Sequence, residues 1–336
     1  MRKRIIDTNT AIDLLNGQCD NMDRNTNTMA SADMNTLINS IGKKLIANPE
    51  DIDALFNIAI AYAKIGNFDQ SLRYFNEALK VDPQDSDCHY YAGIVYNKLH
   101  DTENALKSYS ASIENDPNNF KAYCNRGALY AKSGKYSEAF EDFNSCLKIS
   151  PKYAKAHYGM GLIYSDMHEY KEAITSYKSA IKYAQNYIEA YCNLGVVLGK
   201  MAKFDEAEKT FLKALKQAPA DPKLYFNLGV LYGDLGKPLK AIHNYKQAIK
   251  FDLNYAEAYC NLGIEFGELG KYSESINALE MAIKLDNAFT KAYYNLGVAY
   301  YFAKDPKKAR RVLNILQKTN PEHAGKLREL LDAHPA

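Results

Sequence analysis

Residues 188–221 read IEAYCNLGVVLGKMAKFDEAEKTFLKALKQAPAD, and this arrangement recurs along the chain. Pro219, the thirty-second residue of the stretch, has counterparts at Pro49, Pro83, Pro117, Pro151 and Pro321, all multiples of 34 residues apart. Gln185, Leu253 and Asn287 fall on the same beat. The period runs from residue 49 to residue 321 without insertion or deletion. Such regularity marks a stack of like units, whereas the loops of an enzyme domain must differ to build a site. The frame defines eight units: 52–85, 86–119, 120–153, 154–187, 188–221, 222–255, 256–289 and 290–323.

Within a unit, slots four, seven, eight and eleven share one face at helical spacing. Slot eight is glycine in all but the first unit, which has Ala59. Mid-helix glycine costs roughly 1 kcal/mol of propensity against alanine, so it implies close approach of a second helix. That helix carries Ala or Ser at slot twenty and, in most units, an aromatic at slot twenty-four, such as Phe75, Tyr109, Phe143 and Phe211. Gly66, Gly134, Gly236 and Gly270 occupy slot fifteen, where a helix C-terminus favours positive φ. Pro238 and Pro306 follow two slots later, suited to a helix start. Each unit therefore reads helix, tight turn, helix, turn.

The pattern resembles the tetratricopeptide repeat (TPR) over residues 52–323, with Gln185, Leu253, Asn287, His89 and His157 as departures. The resemblance implies an all-α, right-handed α-solenoid of stacked antiparallel helix pairs, with a concave groove lined by the first helix of each. Terminal units need polar caps. Residues 34–51 fit an N-terminal capping helix (apolar at Met34, Leu37, Ile38, Ile41 and Leu45), and residues 324–336 a C-terminal one, with Leu327, Leu330 and Leu331 inward. Residues 1–33, rich in Asn, Asp, Thr and Ser from Gln18 to Asp33, read as a flexible segment.

Within that segment Ile5-Ile6-Asp7-Thr8-Asn9 resembles the opening strand of PIN-type nucleases, whose first aspartate binds metal, but the repeats begin too soon for such a domain. Leu14 to Cys19 resembles a bacterial lipoprotein cleavage site, which Gln18 and Asp13 spoil. No signal peptide follows Arg2, Lys3 and Arg4, and no run approaches the roughly 18 apolar residues of a membrane span. A net charge of +2, from 42 basic and 40 acidic residues, argues against nucleic acid or a membrane surface as partner.

Cys124, Cys192 and Cys260 share slot five in alternate units. Stacked pairs about 10 Å apart hold them too far apart for disulfides, which need Cα atoms within about 7 Å. Free thiols point to the cytoplasm. His89 and His100 stand about 16 Å apart along one helix, too far to share an ion. Arg126 is the one charged residue at slot seven, and the same unit alone carries Asp142 at slot twenty-three. A half-buried charge needs a partner, so the two are read as a structural pair. No nucleophile–base pair, phosphate loop or metal-ligand spacing appears, so neither enzyme activity nor a cofactor is expected.

Function in a solenoid falls to the groove slots. Slot six reads Asn57, Tyr91, Asn125, Gly159, Asn193, Asn227, Asn261 and Asn295. Asparagine is a mediocre helix former that no packing rule asks for here. Val196, Val230, Ile264 and Val298 at slot nine, with Gly199, Gly233 and Gly267 at slot twelve, would leave a smooth apolar channel beside an amide ladder. Tyr158, Phe226 and Tyr294 at slot five would face the same channel. An amide offers both donor and acceptor and so pairs with an extended backbone whatever its side chains. Tyr301 and Phe302 either close the channel or anchor a ligand.

The ladder, with Ala190-Tyr191-Cys192-Asn193-Leu194-Gly195, resembles the repeat domain of O-linked N-acetylglucosamine transferases, and the resemblance implies that Asn193, Asn227, Asn261 and Asn295, with Asn57 and Asn125, hold polypeptide. The carboxylate clamp of chaperone adaptors is missing: slot five has no lysine and slot nine is apolar. The expected function is a non-enzymatic protein–protein interaction scaffold that binds an extended protein or peptide partner. Two other readings stand beside it. One is a substrate-recognition arm of a glycosyltransferase acting in trans. The other is a self-assembling scaffold, a homo-oligomer in which the N-terminal segment of one copy docks in the groove of the next.

Overall fold

A computed structural model describes residues 24–333, with side-chain surroundings from residue 34. Residues 1–23, including the Asp7 stretch, and residues 334–336 lie outside the described residues. Every described element is a helix: α1 (Arg24–Ala47), α2 (Ile52–Lys64), α3 (Phe68–Val81), α4 (Ser86–Lys98), α5 (Thr102–Asn115), α6 (Phe120–Lys132), α7 (Tyr136–Ile149), α8 (Ala154–Asp166), α9 (Tyr170–Tyr183), α10 (Ile188–Lys200), α11 (Phe204–Leu215), α12 (Pro222–Asp234), α13 (Pro238–Phe251), α14 (Ala256–Glu268), α15 (Tyr272–Leu285), α16 (Thr290–Phe302), α17 (Pro306–Thr319) and α18 (Pro321–Ala333). The fold is all-α, a tandem array of helix pairs. It divides into two compact units, one ending at Ile163 and the other beginning at Tyr164.

Helix starts follow from capping chemistry. Asp51, Asp85 and Asp221 accept hydrogen bonds from the backbone N–H of Ala54, Cys88 and Leu224, satisfying donors the helix leaves open. Pro222, Pro238 and Pro306 sit in the first turn, where no N–H is needed. The turns between pairs explain why their proline is dispensable. After Asp82 and Asp116, which precede Pro83 and Pro117, the aspartate Oδ1 accepts from the N–H two residues on, at 3.1 and 3.0 Å. Asp252 and Asp286 make the same bond at 2.9 Å with Leu253 and Asn287 in the proline slot. In these four turns the side chain reinforces the turn; at Ala184-Gln185 the backbone bond from the Tyr187 N–H to the Ala184 carbonyl, 3.1 Å, closes it without either.

Slot fifteen is left-handed in every pair. Gly66, Gly134, Gly236 and Gly270 have φ of 78°, 73°, 62° and 71°, and His100, His168, Ala202 and Lys304 adopt 60°, 62°, 57° and 60°. A side chain there costs about 1–2 kcal/mol, partly offset by the entropy that glycine loses on folding. Ala202→Gly is therefore expected to stabilise the protein by about 0.5–1 kcal/mol, read as a raised midpoint in urea titration.

In the first unit the core runs through Phe56, Phe75, Tyr91 and Tyr109, all almost fully buried. In the second it gathers Leu279, Leu296, Leu313 and Leu327. The expected interdigitation of glycine and aromatic holds: a Cβ on Gly195 would lie 2.4 Å from Phe211. His89 and His157 have a structural task, each Nε2 donating to the carbonyl of Pro83 or Pro151 at 2.9 and 3.0 Å. Tyr225 Oη makes the equivalent bond to the Pro219 carbonyl at 3.1 Å.

Both terminal helices begin earlier than the apolar pattern indicated. α1 starts at Arg24 rather than Met34. Its Ile38 and Ile41 are buried against α2, with Leu37 and Leu45 partly so. α18 starts at Pro321, where Asn320 accepts from the His323 N–H at 3.0 Å, and buries Ala324, Leu327 and Leu331.

Candidate peptide-binding clefts

The first helix of each pair presents slots six, nine, twelve and thirteen along one side, and the structure opens clefts on that side. In the second unit a cleft of about 360 Å³ is lined by Ile264, Gly267 and Glu268 of α14 with Asn295, Val298 and Phe302 of α16. A neighbouring cleft of about 300 Å³ is lined by Val230 and Asp234 of α12, Asn261 and Glu265 of α14, and Lys291 of α16. Ile264 and Glu268 border both, so the two form one continuous surface. In the first unit a separate cleft of about 310 Å³ is lined by Ile94, Asn97 and Lys98 of α4 with Asn125, Ala128 and Lys132 of α6.

The slot-six asparagines do not form a uniform ladder. Asn57 is buried, 1% exposed, beneath its neighbours, and presents no amide to a ligand. This corrects its place among the groove residues: α2 is buried on every side from Ala54 to Ala61, and Asn57 lies within that stretch. Asn125 Nδ2 donates to Tyr90 Oη at 3.4 Å. Asn261 Nδ2 donates to Tyr245 Oη at 3.5 Å, and its Oδ1 accepts from Lys291 Nζ at 3.2 Å. Asn295 Nδ2 donates to the Lys291 carbonyl at 2.8 Å; its Oδ1 has no hydrogen bond among the described residues, and the residue lines the cleft. Asn193 is half-buried, and Asn227 is half-exposed with no side-chain hydrogen bond among the described residues. The gap at Gly159 has a steric origin, since a Cβ there would lie 2.4 Å from Phe143.

Of the slot-nine residues, Val230, Ile264 and Val298 line the clefts, while Val196 stands 36% exposed outside them. The slot-five aromatics face inward more than expected. Phe226 packs against the rings of Tyr245 and Tyr255 at 5.8 and 5.0 Å, Tyr294 stacks on His323 of α18 at 5.3 Å, and Tyr158 is half-buried. Phe302 stacks on Tyr272 at 5.7 Å and walls one cleft.

The channel is not smooth and apolar beside α12 and α14, because Glu265 enters it. Glu265 is 7% exposed, and burial, then Glu268 and Asp234, push its carboxyl up to about 7. Slot ten is apolar in every other unit (Ala61, Val95, Leu129, Ile163, Val197, Leu231 and Ala299), so a scan of that column would have singled Glu265 out.

Burial keeps the thiols protonated, pushing Cys192 up to about 12 and Cys260 to about 11. Among the described residues the cysteines form no disulfide, no His, Cys, Asp and Glu group is arranged to hold a metal ion, and no helix is long and apolar enough to cross a membrane.

The array, its left-handed turns and its clefts define a helical-repeat protein, and sequence comparison places it. Residues 96–134, 163–201 and 265–301 match a family described as TPR repeat, and residues 52–85, 120–153, 186–254 and 291–323 match families described as tetratricopeptide repeat. The chain belongs to the tetratricopeptide repeat family, whose members are in general protein–protein interaction modules and non-catalytic scaffolds. No curated protein matches the sequence. Among solved structures, the chain is similar to pilF of Pseudomonas aeruginosa (17% identity, TM-score 0.56, covering 62% of this chain and 96% of that one). It is also similar to a tetratricopeptide repeat protein of Parabacteroides merdae (18%, TM-score 0.58, 74% and 98%) and to a chain of the APC/C Cut9–Hcn1 hetero-tetramer (19%, TM-score 0.59, 83% and 55%). At these identities the likeness is one of fold.

Proposed function

We propose that the chain is a non-enzymatic scaffold that holds an extended polypeptide segment against the first helices of its pairs, with asparagine amides reading the backbone. The observation that carries this reading is the continuous surface over α12, α14 and α16, where Asn261 and Asn295 alternate with Val230, Ile264 and Val298. Slot-six residues recur at about 10 Å per stacked pair, and an extended chain rises roughly 3.3 Å per residue, so one amide meets every third peptide unit. The Asn227 side chain and the Oδ1 of Asn295, neither hydrogen-bonded among the described residues, are the amide groups readiest to bond.

The test is a peptide array screened with the wild type and with a variant carrying alanine at Asn193, Asn227, Asn261 and Asn295. Each lost hydrogen bond weakens binding by about 0.5–1.5 kcal/mol, so the variant is expected to bind at least about tenfold more weakly while keeping its helical circular dichroism and a cooperative melt. Undiminished binding by a well-folded variant would make the asparagines structural.

A further inference from the structure

Glu265 is the buried acid that the fold does not use. Its carboxylate makes no ion pair and no side-chain hydrogen bond among the described residues, and only burial and other carboxylates act on it. Room is made for it. A Cβ on Gly233 would lie 2.7 Å from Glu265 Oε1, so glycine at that position lets the carboxylate lie against α12. It shares its cleft with Asp234 and Glu268, two further carboxylates, and with the phenol of Tyr245. The one cation lining the cleft, Lys291, is turned to Asn261 Oδ1 at 3.2 Å. The cleft thus has a surplus of negative charge, an apolar wall of Val230 and Ile264, and an amide at its rim.

We propose that this cleft is a specificity pocket for a lysine or arginine side chain of the extended segment bound along α12, α14 and α16. The apolar wall takes the methylene stem, and Glu265, Asp234 and Glu268 take the charged head. Asn261 beside them addresses the backbone from which that side chain springs. This rests on the peptide-binding reading above and adds selectivity to it. A divalent ion is the weaker fit, since these acids are not arranged to hold a metal.

The proposal carries a pH signature. With its carboxyl raised to about 7, Glu265 is largely protonated below that value in the free protein. A cation favours the ionised form, so binding takes up less charge-assisted pairing as pH falls. Asp234 from α12, Tyr245 from α13, Glu268 from α14 itself and Lys291 from α16 are the other titratable groups lining the cleft. Affinity for basic peptides is therefore expected to rise as pH climbs from 6 to 8, and affinity for neutral peptides to stay level.

The experiment uses nonapeptide arrays with one position fixed as arginine, lysine, norleucine or glutamate, probed with the wild type, Glu265→Gln and Glu265→Leu. The leucine variant restores the apolar residue usual at slot ten and guards against a folding defect. Arginine- and lysine-fixed peptides are expected to bind the wild type at least about tenfold better than norleucine-fixed ones, and both variants to lose that preference while still binding peptide. Peptide binding without a basic preference, or a preference that survives both variants, overturns the pocket and leaves the backbone-reading groove standing. In parallel, the Glu265 carboxyl is titrated by carbon-13 NMR with and without N-acetyl-arginine amide. A fall in its pKa on adding the amide supports the pocket even if no peptide binds, which would count against the groove alone. No peptide binding and no fall overturns both.

Discussion

Arg126→Ala is expected to cost the protein about 3–5 kcal/mol, the loss that follows when one partner of a buried ion pair is removed. Arg126 grips Asp142 with two hydrogen bonds, Nε to Oδ2 at 2.9 Å and Nη2 to Oδ1 at 2.7 Å. Its third donor, Nη1, reaches Ser110 Oγ at 2.9 Å on the preceding pair. The Asp142 side chain is 5% exposed, so without Arg126 a carboxylate stays dry and unpaired. The magnitude comes from that orphaned charge rather than from the pair itself. A double variant, Arg126→Met with Asp142→Leu, is accordingly expected to lie within about 1 kcal/mol of the wild type or above it. Urea denaturation of the two variants decides. Equal losses in both would show that the pair contributes intrinsically.

Phe143→Ala is expected to destabilise by a similar amount, about 3–5 kcal/mol, through a cavity rather than a charge. Phe143 is 1% exposed and touches the glycine positions of two different helices, 3.3 Å from a Cβ on Gly127 of α6 and 2.4 Å from one on Gly159 of α8. Glycines leave no side chain that could lean into the hole, so relaxation is limited. In a repeat array each unit contacts only its neighbours, which localises the damage. Hydrogen exchange is expected to show protection lost first along α6, α7 and the start of α8. Uniform loss across the chain would contradict a nearest-neighbour account.

The fold was legible because the repeat states it many times over. The period, the glycine–aromatic pairing and the Arg126–Asp142 pair all show in residue columns, and a packing rule converts each to geometry. The clefts were only partly legible. Slot six pointed to Asn261 and Asn295, which line the clefts, but also to Asn57, which lies in a stretch of its helix buried on every side. The gap at Gly159 and the inward rings of Phe226 and Tyr294 depend on neighbouring pairs, which a single column does not show. Glu265 was missed because slot ten looked like ordinary core. The one exception in that column was the signal, and only the glycine opposite it reveals that the carboxylate has space.

The bond from slot four to the turn carbonyl six residues earlier has a consequence for how such a chain changes over time. Imidazole at His89 and His157 and phenol at Tyr225 deliver the same proton to the same kind of oxygen. Histidine and tyrosine codons differ by a single base. At these three joints the two rings therefore serve alike as donors, so a single-base change between them leaves the bond to the turn carbonyl, and with it the spacing of the pairs, in place.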